Sequence, residues 1–258
     1  MLQSIREPKP KIWTSTSEKG HAFMRKLALL SVAALSLAAS SAFAISDKPY
    51  MTAADVDFPN LLPPPPKEDS PAGKRDVQTI IDLQKNMTPE RMAAIQADVT
   101  QNVFQVAGEV LGPKFTKTNF PMTDAFFVKV IKDGGVGVGP IKQKYKKIRP
   151  FQYSKDIHTP EDIAKASQGP TYPSGHSTTG AETALILGLM IPEKREALYE
   201  RGWEYGIHRV TSGAAYPSDW EGAHITATLA VNQMLKNPDF RADFDAVKAE
   251  IRKGLAMP

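Results

Sequence analysis

The chain contains no cysteine. A disulfide framework is therefore excluded, and the core must carry stability alone. Its longest apolar run, Leu27 to Ala39, falls short of the roughly 20 residues a membrane-spanning helix needs. Alternating apolar and polar stretches of convincing strand length are missing, and no internal repeat is found.

The chain's excess of positive charge is local. Residues 1–44 hold six Lys/Arg and two acids, which leaves 26 of each sign in residues 45–258. A formally neutral body lacks the basic footprint of a nucleic-acid binder, so no nucleic-acid partner is expected. The charged N-terminal segment has the layout of a secretory signal peptide. Met24-Arg25-Lys26 is a short positive region, Leu27 to Ala39 is apolar, and Ala42-Phe43-Ala44 is an A-x-A cleavage site. Residues 1–23 precede a natural start at Met24, or else form an unusually long positive region. The expected division is an N-terminal extension and signal peptide over 1–44 (the signal at 24–44), a Pro-rich irregular segment over 45–73, and a helical domain over 74–258. Export to the periplasm or the medium follows, with no membrane span after cleavage. The remaining 214 residues suffice for one globular core.

What is present reads as helix. Pro63 to Pro66 form a proline run that belongs extended on the surface. Val77, Ile80, Ile81 and Leu83 mark an amphipathic stretch. Thr88-Pro89-Glu90 opens a helix expected to run towards Gly112. Asp124 to Lys132 is helical, with Gly134-Gly135 as its stop. Gly135, Gly137 and Gly139 read as a flexible connector. Helices follow at Ser177–Met190, Glu193–Val210, Trp220–Lys236 and Pro238–Leu255, the first of them apolar on most faces. The expected fold is all-α, in a single globular helical domain.

Several polar residues suit an oxyanion. Lys142 and Arg149 lie seven apart, so on a helix both would project from one face. Arg149 offers a planar fork and Lys142 a point charge. A solvated basic face is the plainer reading, because Lys144, Lys146 and Lys147 lie between them. Pro150 is expected to end that helix and hold the arginine at its terminus. Pro173-Ser174-Gly175-His176 precedes a helix whose first amides form an anion site. Ser174 adds a hydroxyl, Gly175 allows close backbone approach, and His176 suits proton donation. Arg209 and Asp219 add a third cation and a carboxylate.

Lys142…Arg149-Pro150, Pro173-Ser174-Gly175-His176 and Arg209…Asp219 together resemble the three-part signature of the phosphatidic acid phosphatase type 2/vanadium haloperoxidase superfamily. Leu61 to Pro66 and Thr88-Pro89-Glu90-Arg91 resemble, more narrowly, the soluble bacterial class A acid phosphatases. That resemblance covers residues 55–235. It implies a metal-independent, cofactor-free phosphatase of phosphorylated small molecules, all-helical and periplasmic, and it allows a homo-oligomer. It also assigns phosphate binding to Lys142, Arg149, Ser174, Gly175 and Arg209, and the role of general acid to His176.

The third family motif is S-R-x5-H-x3-D, in which the histidine is the nucleophile and the aspartate orients it. Here His208-Arg209 replaces the Ser-Arg pair, Ala215 occupies the nucleophile position, and Asp219 remains in register. Alanine cannot attack phosphorus. Three readings stay open: water positioned by Asp219 attacks directly; a nearby histidine substitutes, His208 before His224; or the pocket binds phosphate compounds without turnover. His224 reads as an ordinary helical histidine. His158 lies in a loop between the first two motifs, at the mouth of the pocket.

Overall fold

The computed structural model describes residues 44–258. The signal peptide expected over 24–44 lies outside them, Ala44 apart. The described residues contain twelve α-helices and no strand, as the all-α reading expected. They are α1 (Phe58–Leu61), α2 (Pro71–Lys85), α3 (Pro89–Ala97), α4 (Val103–Leu111), α5 (Pro121–Gly134), α6 (Val138–Tyr145), α7 (Pro150–Tyr153), α8 (Glu161–Ala166), α9 (Gly175–Met190), α10 (Arg195–Thr211), α11 (Pro217–Met234) and α12 (Pro238–Gly254). Proline opens α2, α3, α5, α7, α11 and α12, where its missing N–H costs no helical bond. Thr88 Oγ1 caps α3 by accepting from Arg91 N at 3.2 Å.

Helix α9 is the axis of the domain. Apolar and small residues surround it, and it is buried along nearly its whole length against α10 and α11. Its approach to α10 depends on facing glycines. A Cβ on Gly180 would lie 2.7 Å from Tyr205 Cδ1, and one on Gly202 would lie 2.5 Å from Ala184 Cβ. A second layer carries an aromatic core in which Phe126 packs on Tyr50 and Phe240. Burying each such ring contributes about 1.5–3 kcal/mol.

The proline run lies outside regular structure, and Tyr172 donates to Pro63 O at 2.6 Å, so it braces the loop before α9. Three expectations are corrected. The helix opened at Thr88 stops at Ala97, and α4 starts anew where Asn102 Oδ1 accepts from Gln105 N at 2.8 Å. Gly135–Gly137 is a 3₁₀ turn leading directly into α6, organised by burial of Val138 and Ile141. Lys142 and Arg149 do not share a helix face. Helix α6 ends at Tyr145, Lys146 is left-handed (φ 48°), and Arg149 is the extended residue before α7, which Pro150 begins rather than ends.

Candidate active site

The three cations converge although no single helix carries them. Lys142, in the last turn of α6, donates to the carbonyls of Pro170 and Thr171. Arg149 Nε donates to Gly169 O at 2.9 Å, and its Nη1 to Ala214 O at 2.7 Å. Arg209, in the last turn of α10, donates from Nη2 to Ser167 Oγ at 2.7 Å. All three are stitched to the loop 167–171, and among the described residues none forms an ion pair. Burial, then the charge of Arg149, pulls Lys142 down to about 8 and Arg209 to about 10. Burial also lowers Arg149. Three crowded cations outnumber the one buried carboxylate that acts on them, Asp219, and leave a positive field that an anion would neutralise.

The start of α9 meets this cluster. Ser174 caps the helix, its Oγ accepting from Ser177 N at 3.2 Å and Ser177 Oγ at 2.8 Å. Its own hydroxyl proton then remains to be donated. Gly175 heads the helix. A Cβ there would meet nothing closer than Val138 Cγ1 at 3.7 Å, so protein packing does not demand glycine. An open approach to the amide suits a ligand oxygen.

The turn from α10 to α11 completes the site. Gly213 takes the left-handed φ of 74°, which glycine adopts without strain, and the amides of Ala214 and Ala215 both donate to Arg209 O at 3.1 Å. Ala215 is buried. Asp219, in the first turn of α11, accepts on Oδ2 from Thr171 Oγ1 at 2.6 Å and from Tyr216 N at 2.7 Å. Its Oδ1 is buried with no partner among the described residues. Burial raises its pKa above the ordinary carboxylate value, opposed first by Lys147 and then by the bonds from Thr171 and Tyr216 N. Ser174 N donates to Asp219 O at 3.0 Å, joining the two helix starts.

His176 stacks on Tyr205, with ring centroids 4.4 Å apart and planes 7° off parallel. Its Nε2 is buried with no partner among the described residues. Burial, then the charge of Arg209, lowers it to about 3, so the unliganded ring is neutral near pH 7. An anion beside Arg209 would offset that charge and favour the protonated donor.

Substitution by His208 is corrected. Its Nδ1 pairs with Asp98 Oδ2 at 2.7 Å, and its Nε2 lies 3.7 Å from Glu204 Oε1, so its ring is engaged away from Asp219. His224 Nδ1 lies 2.9 Å from Trp220 O and the ring packs on Trp203 and Trp220, as an ordinary helical histidine would. His158 is exposed, its backbone bonded to Gln84.

Sequence reasoning passed over Lys147, Thr171 and Asp98. Lys147 belongs to a lysine run that reads as a solvated face, yet it is buried. Its Nζ lies 3.1 Å from Ser218 Oγ and 4.1 Å from the centre of the Tyr216 ring. Its spacing two residues before Arg149 carried no distinguishing signal.

Three cations, a capped helix start and a buried carboxylate on a helical frame form a class of site suited to a tetrahedral oxyanion. Comparison with known proteins agrees with that class. Residues 124–240, which contain every one of these groups, match the model of the PAP2 superfamily. The chain is 32% identical to a non-specific acid phosphatase of Providencia stuartii, over 77% of this chain and 82% of that protein. It is 30% identical to a non-specific acid phosphatase of Salmonella typhimurium, over 74% of this chain and 78% of that one. An acid phosphatase of Zymomonas mobilis is 27% identical over 74% of each chain. The chain belongs to the PAP2 superfamily, in the group of the bacterial non-specific acid phosphatases.

Proposed function

We propose that the protein is a periplasmic or secreted hydrolase of soluble phosphate monoesters that works without the family's histidine nucleophile. The observation that carries this reading is the convergence of Lys142, Arg149 and Arg209 on one loop with no carboxylate paired to them. In the proposed reaction the cations and the Gly175 amide hold the phosphate oxygens, and Ser174 donates its hydroxyl. Water attacks phosphorus and gives a proton to Asp219 Oδ1, the P–O ester bond breaks, and His176 Nε2 protonates the leaving oxygen. Inorganic phosphate and an alcohol result, and solvent returns the proton from Asp219 to His176. The electrostatic cradle supplies most of the stabilisation in this scheme. Export rests on the signal layout, and the preference for soluble esters on the finding that no described helix is long and apolar enough to cross a membrane.

Ala215 favours a second reading, a pocket that binds phosphate compounds without turnover. The purified protein is assayed on a chromogenic monoester from about pH 4 to 8, beside His176→Ala. Turnover that His176→Ala abolishes supports hydrolysis. Saturable phosphate binding without product supports the second reading, and failure to bind phosphate at all overturns both.

A further inference from the structure

The loop after α3 is fastened to the face of α10 that carries Tyr205, the ring against which the candidate proton donor stacks. Arg201, Tyr205 and His208 are spaced four and three residues apart, so they share that face. Arg201 Nη2 donates to Asp98 Oδ1 at 2.6 Å, Tyr205 donates to Thr100 O at 2.7 Å, and His208 Nδ1 lies 2.7 Å from Asp98 Oδ2. Gln105 Nε2 adds a bond to Asp98 Oδ1 at 2.9 Å, and Thr179 in α9 reaches Gln101 at 3.3 Å. Tyr205, held from behind in this way, is the ring on which His176 stacks.

We propose that Asp98 is a positioning residue for His176, pinning the strap 98–101 to α10 and setting one fixed negative charge beside the imidazole. It is an assignment to a residue outside the family's matched region, which begins at residue 124. The carboxylate is nearly fully buried. Burial would raise its pKa, but bonds from His208, Arg201 and Gln105 outweigh that and hold it below the ordinary range. The ionisable groups around His176 are Arg209 of α10, which opposes its protonation, His208 of the same helix, and Asp98, which favours it through both backbone and charge. A buried carboxylate shared among several donors orients its partners rigidly, and such orientation is what a proton donor needs. His208 also gains a function here: it tethers α10 to the strap.

The inference rests on the reading of His176 as proton donor, but its test does not require turnover. The His176 imidazole is titrated by NMR in the full chain, in Asp98→Asn and in His208→Gln, with and without inorganic phosphate. Asp98→Asn is expected to lower the His176 midpoint and to cut kcat about tenfold or more with KM little changed. His208→Gln replaces the imidazole anchor of Asp98 with an amide, and the His176 midpoint is expected to shift as the carboxylate is reoriented. If Asp98→Asn does not fold, the His208→Gln titration stands alone. An unmoved His176 midpoint in every variant that folds overturns the proposal. A parent that neither turns over the ester nor binds phosphate overturns the phosphate-ester reading, while the titration still decides the role of Asp98.

Discussion

Thr171 donates its hydroxyl to Asp219 Oδ2 at 2.6 Å, which commits that oxygen and leaves Oδ1 as the carboxylate's unpartnered edge. Thr171 belongs to the loop that the cations stitch, so the carboxylate and the anion cradle are set by one segment. Asp219 must be ionised to accept a proton from water, and burial raises its pKa. Turnover is therefore expected to fall on the acid side, as pH drops through that raised value. Asp219→Asn is expected to abolish turnover while phosphate binding persists. Steady-state kinetics beside phosphate titration by calorimetry decides this, and full activity in the variant would remove Asp219 from the reaction.

Ala215→His places an imidazole four residues before Asp219, next to the turn that Arg149 anchors through Ala214 O. If the new ring meets Asp219 Oδ1, it gains the orientation a nucleophile requires, and one hard step becomes two easier ones. The expected result is a rise in kcat with a trapped phosphoenzyme in rapid-quench experiments. No gain, with the fold intact, would mean that the turn has closed over the position.

Helix positions were legible from sequence because capping residues, prolines and apolar periodicity are local signals. The later helices fall within a few residues of expectation for that reason. The break at Asp98 was not legible, since its cause is tertiary: Arg201 and His208 lie more than a hundred residues away. Spacing alone likewise misassigned Lys142 and Arg149 to one helix, because the left-handed Lys146 leaves no sequence mark. The candidate phosphate-binding residues were readable through the motif. The buried state of Lys147 was not, because burial depends on what packs over it.

Arg149→Lys tests whether the fork itself matters. Arg149 bonds both Gly169 O and Ala214 O, and one ammonium cannot reproduce that geometry. A charged hydrogen bond contributes about 1.5–3 kcal/mol, so phosphate affinity is expected to fall about tenfold or more. Unchanged affinity would place the ligand away from the 167–171 loop.

Gly202→Ala probes the contact between α9 and α10. The added methyl would sit 2.5 Å from Ala184 Cβ and 2.8 Å from Gly180 O, so the helices must separate. Overpacking of this kind costs about 1–3 kcal/mol, read as a lower denaturant midpoint. His176 rides on Tyr205 across the same interface, so activity should fall along with stability.

Glu182 supplies the clearest pH test of stability. It lies within α9, is fully buried, and its Oε1 has no partner among the described residues. Burial raises its pKa well above the ordinary 4.5. The folded state therefore prefers the neutral acid. Stability from this group is complete below the unfolded value and is lost as pH rises towards the folded one. Glu182→Gln removes the ionisation but keeps the shape, so its melting temperature should decline less between acid and neutral pH than that of the parent. Each kcal/mol recovered would appear as about 2–4 °C for a domain of this size. Parallel decline in the two proteins would show that Glu182 finds a partner on ionising, and would locate the pH sensitivity elsewhere.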